Sequence, residues 1–361
     1  MRFGPKHTAF KHEPGKKSSN RAQELEMDAK EPEKTRKNAL KGMKNRARGA
    51  WQTLGAKPRA SRPESRAVVG PTRVVLVLVW VLAAAPCCER KTETPVRGEI
   101  RRVVLISIDT CRADYLSCYG YEKEITPHID AVARQGILFE NVVSPVPLTL
   151  PSHCSIMTGT VPVYHGVHDN KNYRLNDDII TLAELLREHG FTTAAVVSSF
   201  TLNSIYGIDQ GFTYYDDEFE GPVEHELVNQ RRGAEVTRRA CQWLEQHRDE
   251  AFFLFLHYFD PHVLYDPPEP YASMYADNLY AGEIAYTDAC IGQVLARLRQ
   301  LGLYQNTLLL ITSDHGEMLG QHGELTHGYY IYQPVLRVPL IIKTPDPTVT
   351  PRRITDLVGL I

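Results

Sequence analysis

The sequence predicts an α/β protein, a three-layer α/β/α sandwich with a mostly parallel central sheet. Segments of strand length alternate with helical segments between residues 101 and 345, the order typical of strand–helix–strand units. Several strand segments are apolar throughout, as in strands that helices cover on both faces. Polar side chains follow the strand ends, where open parallel sheets bind their ligands.

The first predicted elements lead to a threonine. A strand over residues 101–108 has the sequence RRVVLISI and ends at Asp109. A helix begins at Thr126-Pro127, which supply a capping residue and a first-turn proline, and ends at Gly136. A second strand over residues 138–143 leads to Thr149, and a short helix over residues 151–157 follows.

The remaining elements repeat this alternation. Helices are predicted over residues 178–189, 236–247 and 281–301, and strands over residues 192–197, 251–257 and 307–312. Asp260 and His262 follow one of these strands, and Asp314 and His315 follow the last. With Asp109, these groups are expected to meet at one edge of the sheet.

Thr149 is placed where an anion would be bound. At the first turn of a helix, unpaired backbone N–H groups and the positive end of the helix dipole converge. A hydroxyl there becomes a nucleophile when a divalent metal ion promotes loss of its proton. The alternative is an ordinary N-cap threonine, a common role for this residue type.

The polar groups at the strand ends predict one metal site. Asp109, Asp314 and His315, together with the Thr149 oxygen, form an oxygen and nitrogen set suited to one divalent ion, Zn, Mn, Mg or Ca. Each residue alone has another interpretation, because Asp and His are also common in turns and caps.

The charge is divided unevenly along the chain. Residues 1–70 contain 18 Lys and Arg against 7 Asp and Glu, and the rest carries a net charge of −13. The basic segment is predicted to be disordered, with a nucleic-acid-binding arm as an alternative and a true start near Val68 as a hypothesis. The acidic remainder argues against a nucleic acid as substrate.

Residues 71–88 contain an apolar run with a basic flank, the layout of a secretory signal. The pair Cys87 and Cys88 at its end makes a lipoprotein anchor one alternative. A short membrane anchor over residues 74–88 is another. The prediction is an exported protein, periplasmic or extracellular, with a linker over residues 89–100 and a catalytic domain over residues 101–361. The other cysteines are expected to be free thiols: Cys111, Cys118, Cys154, Cys241 and Cys290.

Ordered motifs connect the predicted site with a known family. They read Asp109-Thr-x-Arg112-x-Asp114, Thr126-Pro127-x-Ile-Asp130, Thr149-x-Pro151-Ser152-His153, Pro261-His262, Ser313-Asp314-His315-Gly316-Glu317 and Arg337-Val-Pro-Leu-Ile. In this order they resemble the sulfatase branch of the alkaline phosphatase superfamily. The resemblance implies the same three-layer fold, and a smaller C-terminal subdomain beyond the last residue of an incomplete chain.

Departures from the sulfatase pattern bear on the substrate. Thr149 aligns with the Cys or Ser that sulfatases oxidise to formylglycine, and threonine cannot form that aldehyde. Thr110 aligns with the second Asp of an Asp-Asp pair, and His327 with a lysine. A sulfate-binding Gly-Lys-Trp-His segment is replaced by residues 198–200, Ser-Ser-Phe. A Thr nucleophile with an Asp-His pair is similar to phosphoethanolamine transferases, lipoteichoic acid synthases and phosphodiesterases of the superfamily.

The expected function is therefore hydrolysis of phosphate esters, or of sulfate esters, through Thr149. A phospho-head-group transferase, a sulfuric ester hydrolase in the narrow sense and a non-catalytic binding protein are alternatives. The substrate would be a small-molecule, glycan or lipid ester. The expected catalytic residues are Thr149, His153, His262 and His327; the metal ligands are Asp109, Thr149, Asp314 and His315; and Arg112, His165 and His168 bind substrate or are structural.

Overall fold

The computed structural model describes residues 100–219 and 230–361. The predicted basic segment, the apolar segment and all but the last residue of the predicted linker lie outside these residues. Within the two described ranges, none of the helices has the combination of length and hydropathy that crossing a membrane requires.

The described residues form one eight-stranded sheet with the spatial order β4-β3-β5-β1-β6-β7-β2-β8. The strands are β1 Arg102–Ile108, β2 Ile137–Val143, β3 Thr192–Val196, β4 Tyr214–Asp216, β5 Phe252–Tyr258, β6 Leu308–Thr312, β7 Arg337–Lys343 and β8 Arg352–Gly359. The central strand, β1, runs parallel to both β5 and β6. Only β7 is antiparallel to its described neighbours, so the predicted mostly parallel sheet is confirmed.

Helices connect the strands and cover the sheet. The α-helices are α1 Pro127–Ala133, α2 Thr149–Thr158, α3 Pro162–His165, α4 Leu182–Glu188, α5 Gly233–Gln246, α6 Tyr271–Met274, α7 Leu279–Gln300 and α8 Gln333–Leu336. Most of the described parallel strands are therefore joined through helical crossovers, as a parallel sheet requires.

Alternate residues of β1 belong to two hydrophobic clusters. Val104, Ile106 and Ile108 pack in a cluster that includes residues of α5 and α7. Val103 and Leu105 pack in a second cluster that includes residues of α2. Because strand side chains alternate between the two faces, β1 is buried on both. This burial explains the uninterrupted apolar sequence and confirms the three-layer sandwich.

Helix α2 begins at Thr149, two residues before the predicted start. Its N-cap is Leu148, and no side chain caps the helix. The interpretation of Thr149 as an ordinary N-cap is therefore wrong, and its hydroxyl is available for other contacts. The five cysteines of the described region are free, as predicted.

Three strands, β4, β7 and β8, escaped prediction, and two of these lack an apolar run. β4 has only three residues, and β8 is exposed along most of its length at the edge of the sheet. The sequence of β8, RRITDLVG, therefore has no uninterrupted apolar stretch of strand length.

Helix α4 has a complete capping box, which makes its stability testable. Thr181 Oγ1 accepts from the amide of Glu184 at 3.1 Å and donates to the Gln210 carbonyl at 2.8 Å. Thr181→Ala should therefore lower the free energy of unfolding by about 1–2 kcal/mol in urea titrations. Thr181→Ser, which keeps the hydroxyl, is the matched control, and an alanine variant as stable as the wild type would contradict the expectation.

Candidate active site

The ends of two neighbouring strands bring the candidate metal ligands together. Asp109 follows β1, while Asp314 and His315 follow β6. The parallel register places Ser107 beside Thr312, so the residues after both strands emerge side by side. All three side chains are fully buried.

The ligand atoms of Asp109, Asp314 and His315 lie within 4.8 Å of one another. His315 Nε2 is 3.4 Å from Asp314 Oδ2 and 3.8 Å from Asp109 Oδ1. Thr149 Oγ1 lies 3.4 Å from the same nitrogen. Both Asp109 oxygens and Asp314 Oδ2 are buried without a hydrogen-bond partner in the described structure. A divalent cation fits this donor set, because it would satisfy the orphaned oxygens.

Burial sets the protonation of this group. It raises the pKa of Asp109 to about 7. Burial, and then the charge of Asp109, raise the pKa of Asp314 well above its usual range. Burial lowers the pKa of His315 well below its usual value, so this imidazole is neutral. Its Nδ1 donates to the Gly316 carbonyl at 3.1 Å, which leaves the Nε2 lone pair for a ligand.

Backbone groups fix the orientation of Asp314. Its Oδ1 accepts from the amides of His315, at 2.8 Å, and Thr110, at 3.2 Å, which leaves Oδ2 directed into the site. The Asp314 carbonyl accepts from Ser152 Oγ of α2 at 2.8 Å. The helix that carries Thr149 is thereby tied to the loop that carries two of the candidate ligands.

Thr110, at the position of the missing second Asp, is held away from the candidate ligands. Its Oγ1 donates to the Pro261 carbonyl at 2.6 Å, and its carbonyl accepts from the Tyr280 hydroxyl at 2.7 Å. Its φ of 53° is unusual for a β-branched residue and marks local strain. This conformation turns its amide toward Asp314.

A cavity of about 410 Å³ opens over Thr149. It is lined by Leu148, Thr149, Asp169, Asn170, Lys171, Thr201, Phe259, His262, Thr326, His327, Gly328 and Tyr329. Three of the predicted catalytic residues, Thr149, His262 and His327, are therefore brought together.

The two cavity histidines have opposite electrostatic character. Burial opposes the charged form of His327, but the hydrogen bond and charge of Glu317, whose Oε2 lies 3.3 Å from Nδ1, raise its pKa overall. Burial lowers the pKa of His262 to about 3, and its Nδ1 donates to the Val263 carbonyl at 2.6 Å. The other nitrogen of neutral His262 is then an acceptor, so the expected donor role passes to His327.

Four of the predicted catalytic and substrate-binding residues do not line this cavity. The His153 ring donates to the Thr149 carbonyl at 2.8 Å and accepts from Ser107 Oγ at 2.9 Å, which supports α2 from beneath. Arg112 binds Asp114 with two donors and the Glu317 carbonyl with a third.

The other two of these residues, His165 and His168, follow the C-terminal end of α2. His165 is buried and bonds through both ring nitrogens, to Ser155 Oγ at 3.1 Å and to the amide of Val167 at 3.2 Å. His168 is exposed and packs against Tyr173. Their placement favours the structural alternative for both.

Sequence reasoning missed the loop residues of the cavity. Lys171 lines it from the segment after His168, where no periodicity marked it. Asn170 Oδ1 accepts from the Leu150 amide at 2.9 Å and so helps to satisfy the N-terminus of α2. Thr201 directly follows residues 198–200, which align with the sulfate-binding segment of sulfatases. These residues have no spacing signal, because folding alone brings their loops together.

Comparison with known proteins agrees with this geometry. The family model Sulfatase matches residues 101–358. The chain belongs to the sulfatase family. It is 26% identical over 344 residues to an ulvan-active sulfatase of Formosa agariphila, covering 80% of this chain and 66% of that protein. It is 23% identical over 367 residues to human iduronate 2-sulfatase, covering 77% and 66%.

The fold comparison finds the same architecture. A phosphonate monoester hydrolase of Agrobacterium radiobacter superposes with a TM-score of 0.63 at 21% identity, covering 72% of this chain and 71% of that chain. The alkaline phosphatase-like sandwich predicted from the motifs is thereby confirmed. The matches span just under two thirds of the length of the two sulfatases.

Metal binding at this site should depend on pH. Folded Asp109 keeps its proton to about pH 7, whereas an aspartate in the unfolded chain loses it at about pH 4. The folded state therefore binds the extra proton between about pH 4 and 7, and the metal-free protein loses stability as pH rises through that window. Because a metal ion replaces the proton, added Zn²⁺ or Mn²⁺ should raise Tm more at about pH 8 than at about pH 6.

Thermal unfolding with and without metal at both pH values measures this effect. Asp314→Asn should lose the metal-induced shift, whereas Asp266→Asn, at a largely exposed carboxylate, should retain it. An undiminished shift in Asp314→Asn would place the bound ion elsewhere.

Proposed function

We propose that this protein is a metal-dependent hydrolase that cleaves phosphate esters through Thr149. The observation that carries the proposal is the position of the Thr149 hydroxyl. It stands at the first residue of α2, free of any capping role, 3.4 Å from the ring nitrogen of His315. An unmodified alcohol is thus presented to a cavity next to a candidate metal site.

The residues that would hold the ion are Asp109, Asp314 and His315, with the Thr149 oxygen as a further ligand. When bound, the ion lowers the pKa of the Thr149 hydroxyl and polarises a non-bridging oxygen of the ester. The protein orients the nucleophile by tying α2 to the Asp314 loop through Ser152. The positive end of the α2 dipole, together with Lys171 at the cavity wall, supplies positive potential for the anionic substrate.

The reaction proceeds in two displacements. Thr149 Oγ1 loses its proton to solvent and attacks phosphorus, and the bond from phosphorus to the alcohol oxygen breaks. Protonated His327, held by Glu317, gives its proton to the departing oxygen. Water then attacks the phosphothreonine, and neutral His262 or His327, now without its proton, takes a proton from that water. Cleavage of the bond between Oγ1 and phosphorus, with return of a proton from solvent to Oγ1, regenerates Thr149.

Sulfate esters are the competing substrate class, because the curated relatives named above are sulfatases. The resemblance that implies a formylglycine in those enzymes also shows why this chain differs, since Thr149 cannot become that aldehyde. A structural neighbour is a phosphonate monoester hydrolase, and this likeness supports phosphorus as the attacked atom. A glycan or lipid alcohol would supply the leaving group.

The decisive experiment compares an aryl phosphate monoester, an aryl phosphodiester and an aryl sulfate, each with added Zn²⁺, Mn²⁺, Mg²⁺ or Ca²⁺. Phosphoester cleavage should prevail, and Thr149→Ala should lower kcat by at least about 10³-fold because the nucleophile is lost. Thr149→Ser, which keeps a hydroxyl, should retain measurable turnover, and acid quenching should trap a phosphorylated peptide containing residue 149. Preferred cleavage of aryl sulfate, or undiminished activity in Thr149→Ala, would refute the proposal.

The role of His327 predicts a dependence on the leaving group. His327→Gln should lower kcat by about 10²–10⁴-fold for alkyl phosphoesters, whose alcohols are poor leaving groups. The loss should be smaller for nitrophenyl esters, which depart without a proton. Steady-state kinetics on both ester types measure the difference, with His168→Gln, outside the cavity, as control. An equal loss on both types would remove His327 from the role of general acid.

A further inference from the structure

A fourth buried histidine lies behind the candidate metal site. His257 is the penultimate residue of β5 and pairs in register with Ser107 of β1. Phe253 and Phe255 pack in the same hydrophobic cluster, on the face of the sheet that α2 covers. Alternation along the strand places His257 on that face as well, where the preceding positions carry phenylalanine.

Burial of the His257 side chain has a free-energy cost that packing does not explain. Its side chain is fully buried, and neither ring nitrogen makes an aligned hydrogen bond within the described residues. A buried polar group without a partner destabilises the folded state, whereas an apolar side chain would incur no such penalty. Its ring lies edge-on to His153, with centroids 5.0 Å apart, which gives no hydrogen bond.

Among residues 100–219 and 230–361, the single acidic group in ion-pair range of His257 is Asp109. His257 Nε2 lies 3.3 Å from Asp109 Oδ2, and the other oxygen, Oδ1, lies 3.8 Å from His315 Nε2. Oδ2 of Asp109 therefore faces His257, behind the site, and Oδ1 faces His315, within the site. At 3.3 Å, an N–H on Nε2 directed at Oδ2 is close to hydrogen-bond distance.

We infer that His257 is a positioning residue that donates a hydrogen bond to Asp109 Oδ2 and so directs Oδ1 toward the bound metal ion. Groups that bond to metal ligands from outside fix their orientation and tune their affinity. His257 itself is not among the residues whose ligand atoms cluster around the candidate site in the described structure. It acts through Asp109, and this inference rests on the metal site of the proposed function.

The sheet itself makes this arrangement rigid. The Asp109 amide donates to the carbonyl of Tyr258, the residue after His257, at 2.8 Å. The backbones that carry the donor and the carboxylate are therefore bonded to each other. The side chains need little reorganisation to meet, so the hydrogen bond restricts Asp109 without ordering a flexible segment.

The test measures metal affinity rather than turnover. The full chain, stripped of metal, is titrated with Zn²⁺ and separately with Mn²⁺ in competition with a chromophoric chelator, and Tm is recorded without metal. His257→Leu removes the donor and keeps an apolar side chain, whereas His257→Gln keeps an N–H near the position of Nε2. His165→Leu is the matched control, because His165 is buried and its ring nitrogens bond to Ser155 and Val167 rather than to a candidate metal ligand.

His257→Leu should bind metal about 10–100-fold more weakly than the wild type, and His257→Gln should recover most of that loss. The metal-free Tm of His257→Leu should fall less than that of His165→Leu, since neither ring nitrogen of His257 makes an aligned hydrogen bond within the described residues. His165→Leu should lower Tm and leave the affinity unchanged.

Two results would overturn the inference. One is wild-type affinity in His257→Leu. The other is an equal loss of affinity in both His257 variants accompanied by an equal fall of the metal-free Tm, which is the signature of packing alone. Failure of the proposed function looks different, because the wild type would then bind neither ion, or Asp314→Asn would bind as tightly as the wild type.

Discussion

The burial of two neighbouring carboxylates governs the architecture of this site. Asp109 and Asp314 lie close enough to share one cation, and each is deprived of water. Without a cation, burial favours the protonated forms and raises the pKa values of both; the charge of Glu317 adds to the rise at Asp109, and that of Asp109 to the rise at Asp314. Nearby elements reduce this cost in part, since backbone amides bind Asp314 and a neutral imidazole separates the two carboxylates.

The parallel sheet is what places these groups so closely. β1 and β6 are adjacent, and their ends deliver Asp109 and Asp314 to the same edge. Helix α2 is then fastened from two sides, by Ser152 to the Asp314 carbonyl and by His153 to Ser107. Thr149 is therefore positioned relative to both strands before any substrate enters.

Sequence patterns predicted those features of the fold and of the site that follow from the periodicity of strands and helices. The apolar runs of β1, β5 and β6 identified a sheet buried on both faces, and polar residues at their ends located the site. Lys171 and Thr201 were missed because their loops carry no periodicity, and β8 because its side chains remain exposed. A role for His257 was not predicted for another reason: a single polar residue at the end of an apolar run is interpreted as the end of the strand.

The absence of a capping bond from Thr149 bears on how such a site can change during evolution. Leu148 begins the helix through its backbone conformation alone, and the amide of Leu150 is satisfied by Asn170. The Thr149 side chain thus makes no capping bond to the helix that carries it. Under the proposed function, serine or cysteine could replace Thr149 there without loss of a cap, so one scaffold could exchange its nucleophile, and with it its chemistry, without being rebuilt.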